Sequence, residues 1–207
     1  EAAIPTLASN VPQVIDQLHE FTKKNQNALI IGVPTYDTQT QQYFNSLLLL
    51  TPTTEQQYNK VHLVPFGEYI PLSGFFGFLF NTLNIPMSNF SAGSKTQPLL
   101  DASQIKIAPY ICYEIAFPQQ VLTHSHGANV LLVISDDSWF GPSIALDQHL
   151  QMAQMRALEL QKYVLFATNT GATAIIKPDG SMTSLDRFKA DVLTQTIEPT
   201  QGDTPLS

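Results

Sequence analysis

A single cysteine, Cys112, rules out any disulfide within this chain. Charge is also scarce: only 13% of residues are Asp, Glu, Lys or Arg, and the formal net charge is −7. Long nucleic acids are therefore excluded as partners, because phosphate binding needs a basic surface and no Lys/Arg-rich block supplies one. There is no apolar run of about 18 residues or more, so nothing here reads as a membrane span, and no signal peptide is recognisable. The five histidines, His19, His62, His124, His126 and His149, lack the spacing of a metal site. His124 and His126, two residues apart, do not share a helical face. No metal and no organic cofactor is expected. The chain opens at Glu1 rather than at a methionine, and reads as a processed or excised piece.

What is present is enough apolar material, 43% of 207 residues, for the core of one domain of ordinary size. Helix-like and strand-like segments alternate. Val14, Ile15, Leu18 and Phe21 fall on one helical face after a candidate N-cap, Asn10. Apolar runs predict strands at Ala28–Val33, Asn45–Leu50, Lys60–Val64, Ile105–Ile111, Val130–Ile134, Tyr163–Thr168, Ala172–Ile176 and Val192–Ile197. Thr51–Asn59 reads as a polar link. Helices are predicted over Glu114–Ser125, weakened by Pro118, and over Ser143–Lys162. Lys177-Pro178-Asp179-Gly180 is a hairpin turn. This pattern predicts a layered α/β domain over residues 1–198 with a loose polar tail over 199–207.

Cys112 follows a buried strand and precedes a predicted helix. That position presents the thiol at the end of a sheet, near a helix N-terminus whose partial positive charge would lower its pKa. Taken alone, a buried structural cysteine explains it as well. Lys60 enters an apolar stretch and is costly to bury unless it meets a charge. Glu68 sits in a Pro-flanked loop, and Glu1 precedes Ala2-Ala3-Ile4-Pro5. Each has a bland reading on its own: surface lysine, loop carboxylate, chain terminus.

Four segments carry a resemblance: Glu1 to Pro5, Tyr58-Asn59-Lys60 through Pro71, Ile111-Cys112-Tyr113-Glu114, and Asp137-Ser138-Trp139-Phe140-Gly141. His149 to Ala153, Arg156 to Glu159 and Thr168-Asn169 extend it. The chain resembles the nitrilase (carbon–nitrogen hydrolase) superfamily, and within it the catalytic domain of the apolipoprotein N-acyltransferase family. The resemblance implies an α-β-β-α layered sandwich, here expected to lack its first strand and helix. It implies a catalytic set in which Glu1 is the general base, Lys60 the cationic stabiliser, Cys112 the nucleophile and Glu68 a supporting carboxylate. The chemistry needs these types. A base takes the thiol proton and later activates the acceptor, and a fixed cation stabilises the oxyanion. Tyr113, Glu114 and Trp139 are expected to shape the site. The chain departs from the family pattern at Asp136-Asp137, where Asn-Asp is usual, and at Lys162, where Arg is common.

The Phe-rich segment Gly74–Phe80, with Phe75, Phe76 and Phe78, reads either as an exposed patch for a lipid or partner or as a buried helix. The resemblance implies a phospholipid acyl donor, an apolipoprotein acceptor, a thioester on Cys112, and a bacterial inner-membrane enzyme with this domain on the periplasmic side. Two alternatives stand beside it: a soluble nitrilase-type amidase with water as acceptor, and a catalytically dead membrane- or partner-binding module.

Overall fold

In the computed structural model, described here for residues 1–69 and 89–206, two sheets stack between helices. The first sheet is antiparallel, with order β1 (Leu29–Asp37), β2 (Gln42–Leu50), β3 (Glu55–Asn59). The second is mixed, running β4 (Leu100–Ala102), β5 (Ile105–Ile111), β6 (Val130–Ser135), β7 (Tyr163–Thr168), β8 (Ala174–Ile176), β9 (Met182–Ser184). Its centre, β5-β6-β7, is parallel, and both flanks are antiparallel. Helices α2 (Pro118–His124) and α3 (Ala145–Leu160) make the two crossovers, and α1 (Pro12–Asn25) packs against β2.

Strand alternation sorts the core into two layers. Ile107, Ile111, Val130, Leu132 and Ile134 meet Leu47, Leu49 and Tyr58 between the sheets. The intervening residues Ala108, Tyr110, Leu131 and Val133 meet Ala153, Ala157 and Leu160 of α3 on the other face. Strands buried on both faces read as continuous apolar runs, so β5, β6 and β7 are found where the sequence predicts them. The predicted α-β-β-α sandwich is the fold observed.

Five local expectations are corrected. The polar link Thr51–Asn59 contains β3, and Lys60–Val64 is not a strand. β3 lies at the edge of its sheet, where one face is solvated, and this explains its Gln and Glu residues. The backbone N–H groups of Val61, His62 and Val64 donate to the carboxylates of Glu114 and Glu68 instead of to a ladder. Helix α1 is preceded by Val11, and Asn10 makes no side-chain cap. Val192–Ile197 forms no strand, and Val192 is exposed. The C-terminal segment expected to be loose is fastened: Thr200 pairs with Asn129, the buried Lys162 ammonium donates to Gly202 O at 2.6 Å, and Asp203 lies 2.9 Å from His126. The hairpin turn at 177–180 joins β8 to β9 as predicted.

Candidate active site

The C-terminal ends of parallel strands leave a crevice where the chain turns back into its helices. Here Ile111 ends β5 and Ser135 ends β6, and the residues that follow them, Cys112 and Asp136, line a cavity of about 390 Å³. The facing sheet contributes Pro34 and Asn45, and Lys60 follows its last strand, β3. Glu1 and Glu68 complete the polar wall, so all four predicted catalytic residues line one cavity.

Lys60 is 1% exposed. Its ammonium lies 3.0 Å from the Glu68 carboxylate and 3.4 Å from Oε1 of Glu1. Burial works against the charged ammonium, but the carboxylate of Glu1, the charge available on Cys112 and the carboxylate of Glu68 outweigh it and raise the pKa. The ammonium is thus fixed in its charged form. Its backbone is fixed as well, with Lys60 N donating to Asn45 O and Gly93 N donating to Lys60 O.

Glu1 is held at both oxygens. Oε1 accepts from the Asn45 amide at 2.6 Å, and Oε2 accepts from the backbone N–H of Asp136 at 3.0 Å. The second hydrogen of the same Asn45 amide goes to Glu68 Oε1 at 2.7 Å. Asn45 therefore spaces two carboxylates around one ammonium. Sequence reasoning missed it, placing it only at the start of a strand. A buried polar residue beside the run Leu47–Leu50 was the one available signal.

Cys112 adopts φ 57°, a left-handed conformation that L-residues disfavour by about 1–2 kcal/mol. Such strain persists where the surroundings over-determine it, and it turns the chain sharply out of β5. Tyr110 and Ala108 lie on the helix side of the sheet, whereas Cys112 lies with the inter-sheet layer at the cavity. The expected help from a helix N-terminus is not found. The segment after Cys112 is a five-residue 3₁₀ turn, Cys112–Ala116, and α2 begins only at Pro118. Burial and the nearby Glu1 carboxylate instead push the thiol up to about 11, against Lys60, the Ser135 hydroxyl and the Tyr113 N–H, which act to lower it. Cys112 thus rests as a thiol beside the Glu1 carboxylate.

Glu114 does not line the cavity; it braces it. Completely buried, its Oε1 accepts from Val61 N at 2.7 Å and His62 N at 3.1 Å, and its Oε2 accepts from Ile111 N at 2.8 Å. The Tyr58 hydroxyl donates at 3.2 Å. One carboxyl thus ties the residues after Lys60 to the residue before Cys112. The Tyr113 ring lies 5.7 Å from the Lys60 ammonium, and its hydroxyl donates to Leu63 O. Trp139 is 83% exposed and stands with Phe140 on the cavity wall. Phe75, Phe76 and Phe78 lie outside the described residues. Among the described residues, no group of three or more His, Cys, Asp or Glu side chains is arranged to hold a metal ion, and no helix is long and apolar enough to cross a membrane.

Glu1, Lys60, Glu68 and Cys112 thus meet at the strand ends of an α-β-β-α sandwich, an architecture that places the chain among carbon–nitrogen bond enzymes. The chain belongs to the carbon–nitrogen hydrolase family, whose pattern it matches over residues 1–204. It is similar to the apolipoprotein N-acyltransferase of Coxiella burnetii, at 42% identity over 207 residues that cover all of this chain and 42% of the relative. The corresponding protein of Pseudomonas putida is 42% identical over 208 residues, covering 99% of this chain and 41% of the relative. The chain thus spans about two-fifths of the length of these curated relatives. Among solved structures, the fold is shared with a CN-hydrolase superfamily protein of Xanthomonas campestris, with TM-score 0.67, 19% identity, and coverage of 89% of this chain and 68% of that one. It is shared also with Nit3 of Saccharomyces cerevisiae, of the nitrilase superfamily, with TM-score 0.63, 18% identity, and coverage of 84% and 61%.

Proposed function

We propose that this domain transfers an acyl chain from a phospholipid, through a thioester on Cys112, to the N-terminal amine of a diacylglyceryl-modified cysteine on an apolipoprotein. The observation that carries the reading is the meeting of Glu1, Lys60 and Cys112 on one cavity whose remaining wall is largely apolar, with Pro5, Pro34, Phe90, Trp139 and Phe140. The names of the relatives that match the whole chain supply the substrate class. On this reading the enzyme sits in the bacterial inner membrane with the domain on the periplasmic side.

Glu1 takes the thiol proton as the sulfur adds to the ester carbonyl. Lys60 and a backbone N–H meet the oxyanion, an interaction worth about 3–4 kcal/mol per donor in comparable sites. Collapse breaks the ester C–O bond, and Glu1 returns the proton to the departing lysophospholipid alkoxide. The acceptor amine then adds to the thioester, Glu1 takes its proton, and the C–S bond breaks to regenerate Cys112. Glu68 and Asn45 keep Lys60 and Glu1 in place during both halves.

The test is intact-protein mass spectrometry of the full-length enzyme after incubation with phospholipid alone. An acyl-sized mass increase on Cys112 is expected, discharged by a diacylglyceryl-cysteine peptide amine and absent in Cys112→Ala. Turnover of small amides with no lipid-derived adduct would instead establish water as the acceptor and sink the transferase reading.

A further inference from the structure

Among the described residues, three carboxylates line the cavity: Glu1, Glu68 and Asp136. Two of them are taken up by the site itself. Glu1 accepts from the Asn45 amide, the Asp136 N–H and the Lys60 ammonium. Glu68 accepts from the Asn45 amide, the Lys60 ammonium and the Val64 N–H. Asp136 differs. Among the described residues its carboxylate accepts one hydrogen bond, from Ser138 N to Oδ1 at 3.1 Å. An ionised carboxylate has about four acceptor positions, so most of this one's capacity is unspent. The residue is half-buried on the cavity wall.

The fold sets Asp136 and Cys112 at the same strand ends. β5 and β6 are parallel with Ile111 opposite Ile134, so the two residues leave neighbouring strands in the same direction. Neighbouring strands lie about 4.8 Å apart. After Asp136 the chain enters the 3₁₀ turn Asp137–Phe140, which carries Trp139 and Phe140 to the same cavity. One short segment thus supplies a carboxylate and two aromatic rings to the wall. The lining side chains set three carboxylates against the single ammonium of Lys60, a net charge of −2 while Cys112 is a thiol. Such a wall attracts a cation and repels a further anion. Aromatic ring faces attract an ammonium as well. Pro5, Pro34, Val64 and Phe90 make much of the remaining wall apolar, suited to a hydrocarbon chain.

We propose that Asp136 is a specificity-determining residue, which makes this cavity select a primary ammonium carried on an apolar chain. The identity of that ligand rests on the acyl-transfer reading: it is the N-terminal ammonium of the diacylglyceryl-modified acceptor. The unspent acceptor positions of Asp136 call for N–H donors, and the net charge calls for a cation. A primary ammonium supplies both, whereas water and alcohols lack the charge. The protons balance. Of the three hydrogens on the ammonium, one is released to solvent before attack, one passes through Glu1 to the departing sulfur, and one stays on the amide nitrogen. Asp136 binds the cation and retains no proton at the end.

The test is protection of Cys112 from iodoacetamide in the full-length protein by octylammonium and by 1-octanol at neutral pH, with thermal melting as a check on folding. The two probes share an apolar chain and differ in charge, and neither requires acyl transfer. Half-protection is read against each variant's own unprotected rate. In the wild type, octylammonium is expected to protect at a concentration about tenfold lower than octanol. Asp136→Asn keeps the shape of the side chain and an oxygen for the Ser138 N–H. It is expected to raise the octylammonium concentration about tenfold and to leave that of octanol unchanged. Asp136→Glu, which keeps the charge, is expected to retain the preference. Equal protection by both probes in the wild type overturns the proposal. So does a folded Asp136→Asn protein with unaltered octylammonium protection, or one that loses both probes equally. A diacylglyceryl-cysteine peptide and its N-acetylated form, run in the same assay, decide the ligand, and are expected to differ as the two probes do. If they protect equally while octylammonium and octanol still differ, the ammonium selectivity of Asp136 stands and the acceptor assignment falls.

Discussion

The side-chain amide of Asn45 stands 2.6 Å from Oε1 of Glu1. Its other hydrogen reaches Glu68, so two carboxylates of the site depend on one neutral residue. Asn45→Leu preserves volume and removes both donors. Hydrogen bonds to charged groups contribute about 1.5–3 kcal/mol each. A loss of about 3 kcal/mol in urea unfolding is expected, with a fall in acyl-transfer rate of at least tenfold. Asn45→Asp should be worse, since it places a third carboxylate against the first two.

Gly32 sets the position of Glu1. A Cβ there would meet the backbone nitrogen of Ala2 at 2.8 Å and the Cα of Glu1 at 2.9 Å, and neither is a flexible side-chain end that can swing aside. Gly32→Ala is therefore expected to displace Glu1 while leaving Lys60 and Cys112 in place. Steady-state kinetics should show kcat falling about a hundredfold with KM nearly unchanged, because a misplacement of about 1 Å costs that much. An unaltered kcat would mean that Glu1 is not the base.

Glu1 and Lys60 act on the Cys112 thiol with opposite signs. The Glu1 carboxylate raises its pKa and the Lys60 ammonium lowers it. Glu1→Gln is expected to speed alkylation of Cys112 by iodoacetamide at pH 8 while abolishing transfer. Lys60→Met is expected to slow alkylation and abolish transfer, and to destabilise the fold by about 3–5 kcal/mol by leaving buried carboxylates without their cation. Reactivity toward a small electrophile and catalytic activity thus part company in one variant and fall together in the other.

The thiol also imposes a pH dependence on stability. Its pKa rises from 9.0 to about 11 on folding, so the folded state holds the proton more tightly. Between those values the unfolded chain has lost its proton and the folded one has not, and stability falls as pH rises. The contribution is fully present below about pH 9 and is lost by about pH 11, amounting to about 2–3 kcal/mol. Denaturation of the wild type against Cys112→Ala across that range should show the difference narrowing with this sign.

Much of the site was legible because its residue types are costly without a reason. Lys60 in an apolar stretch demanded a counter-charge, and it has two, Glu68 and Glu1. Cys112 at the end of β5 reads as presented to a crevice, and it lines one. What escaped were residues whose role is set by partners far along the chain. Asn45 meets Glu1 across 44 positions and Glu114 meets Val61 across 53, distances at which no local pattern operates. His149 was weighed only as a metal ligand. Its actual neighbours, Asp137 and the carbonyl of Cys112, are brought to it by the packing of α3 on the second sheet.

The sequence by itself determined the layers. Strands buried on both faces must be apolar throughout, and β5, β6 and β7 announce themselves for that reason. It also marked Lys60 as a residue that needs a counter-charge, because a lysine is costly to bury unpaired. The tertiary structure decided the rest. It ended the strand at Asn59 rather than continuing it through Lys60–Val64, because side-chain carboxylates took the N–H groups that a ladder would have used. It also decided the protonation of Cys112. A local view predicts a thiol eased by a helix terminus, whereas burial and the carboxylate of Glu1, delivered from far along the chain, hold the proton on Cys112.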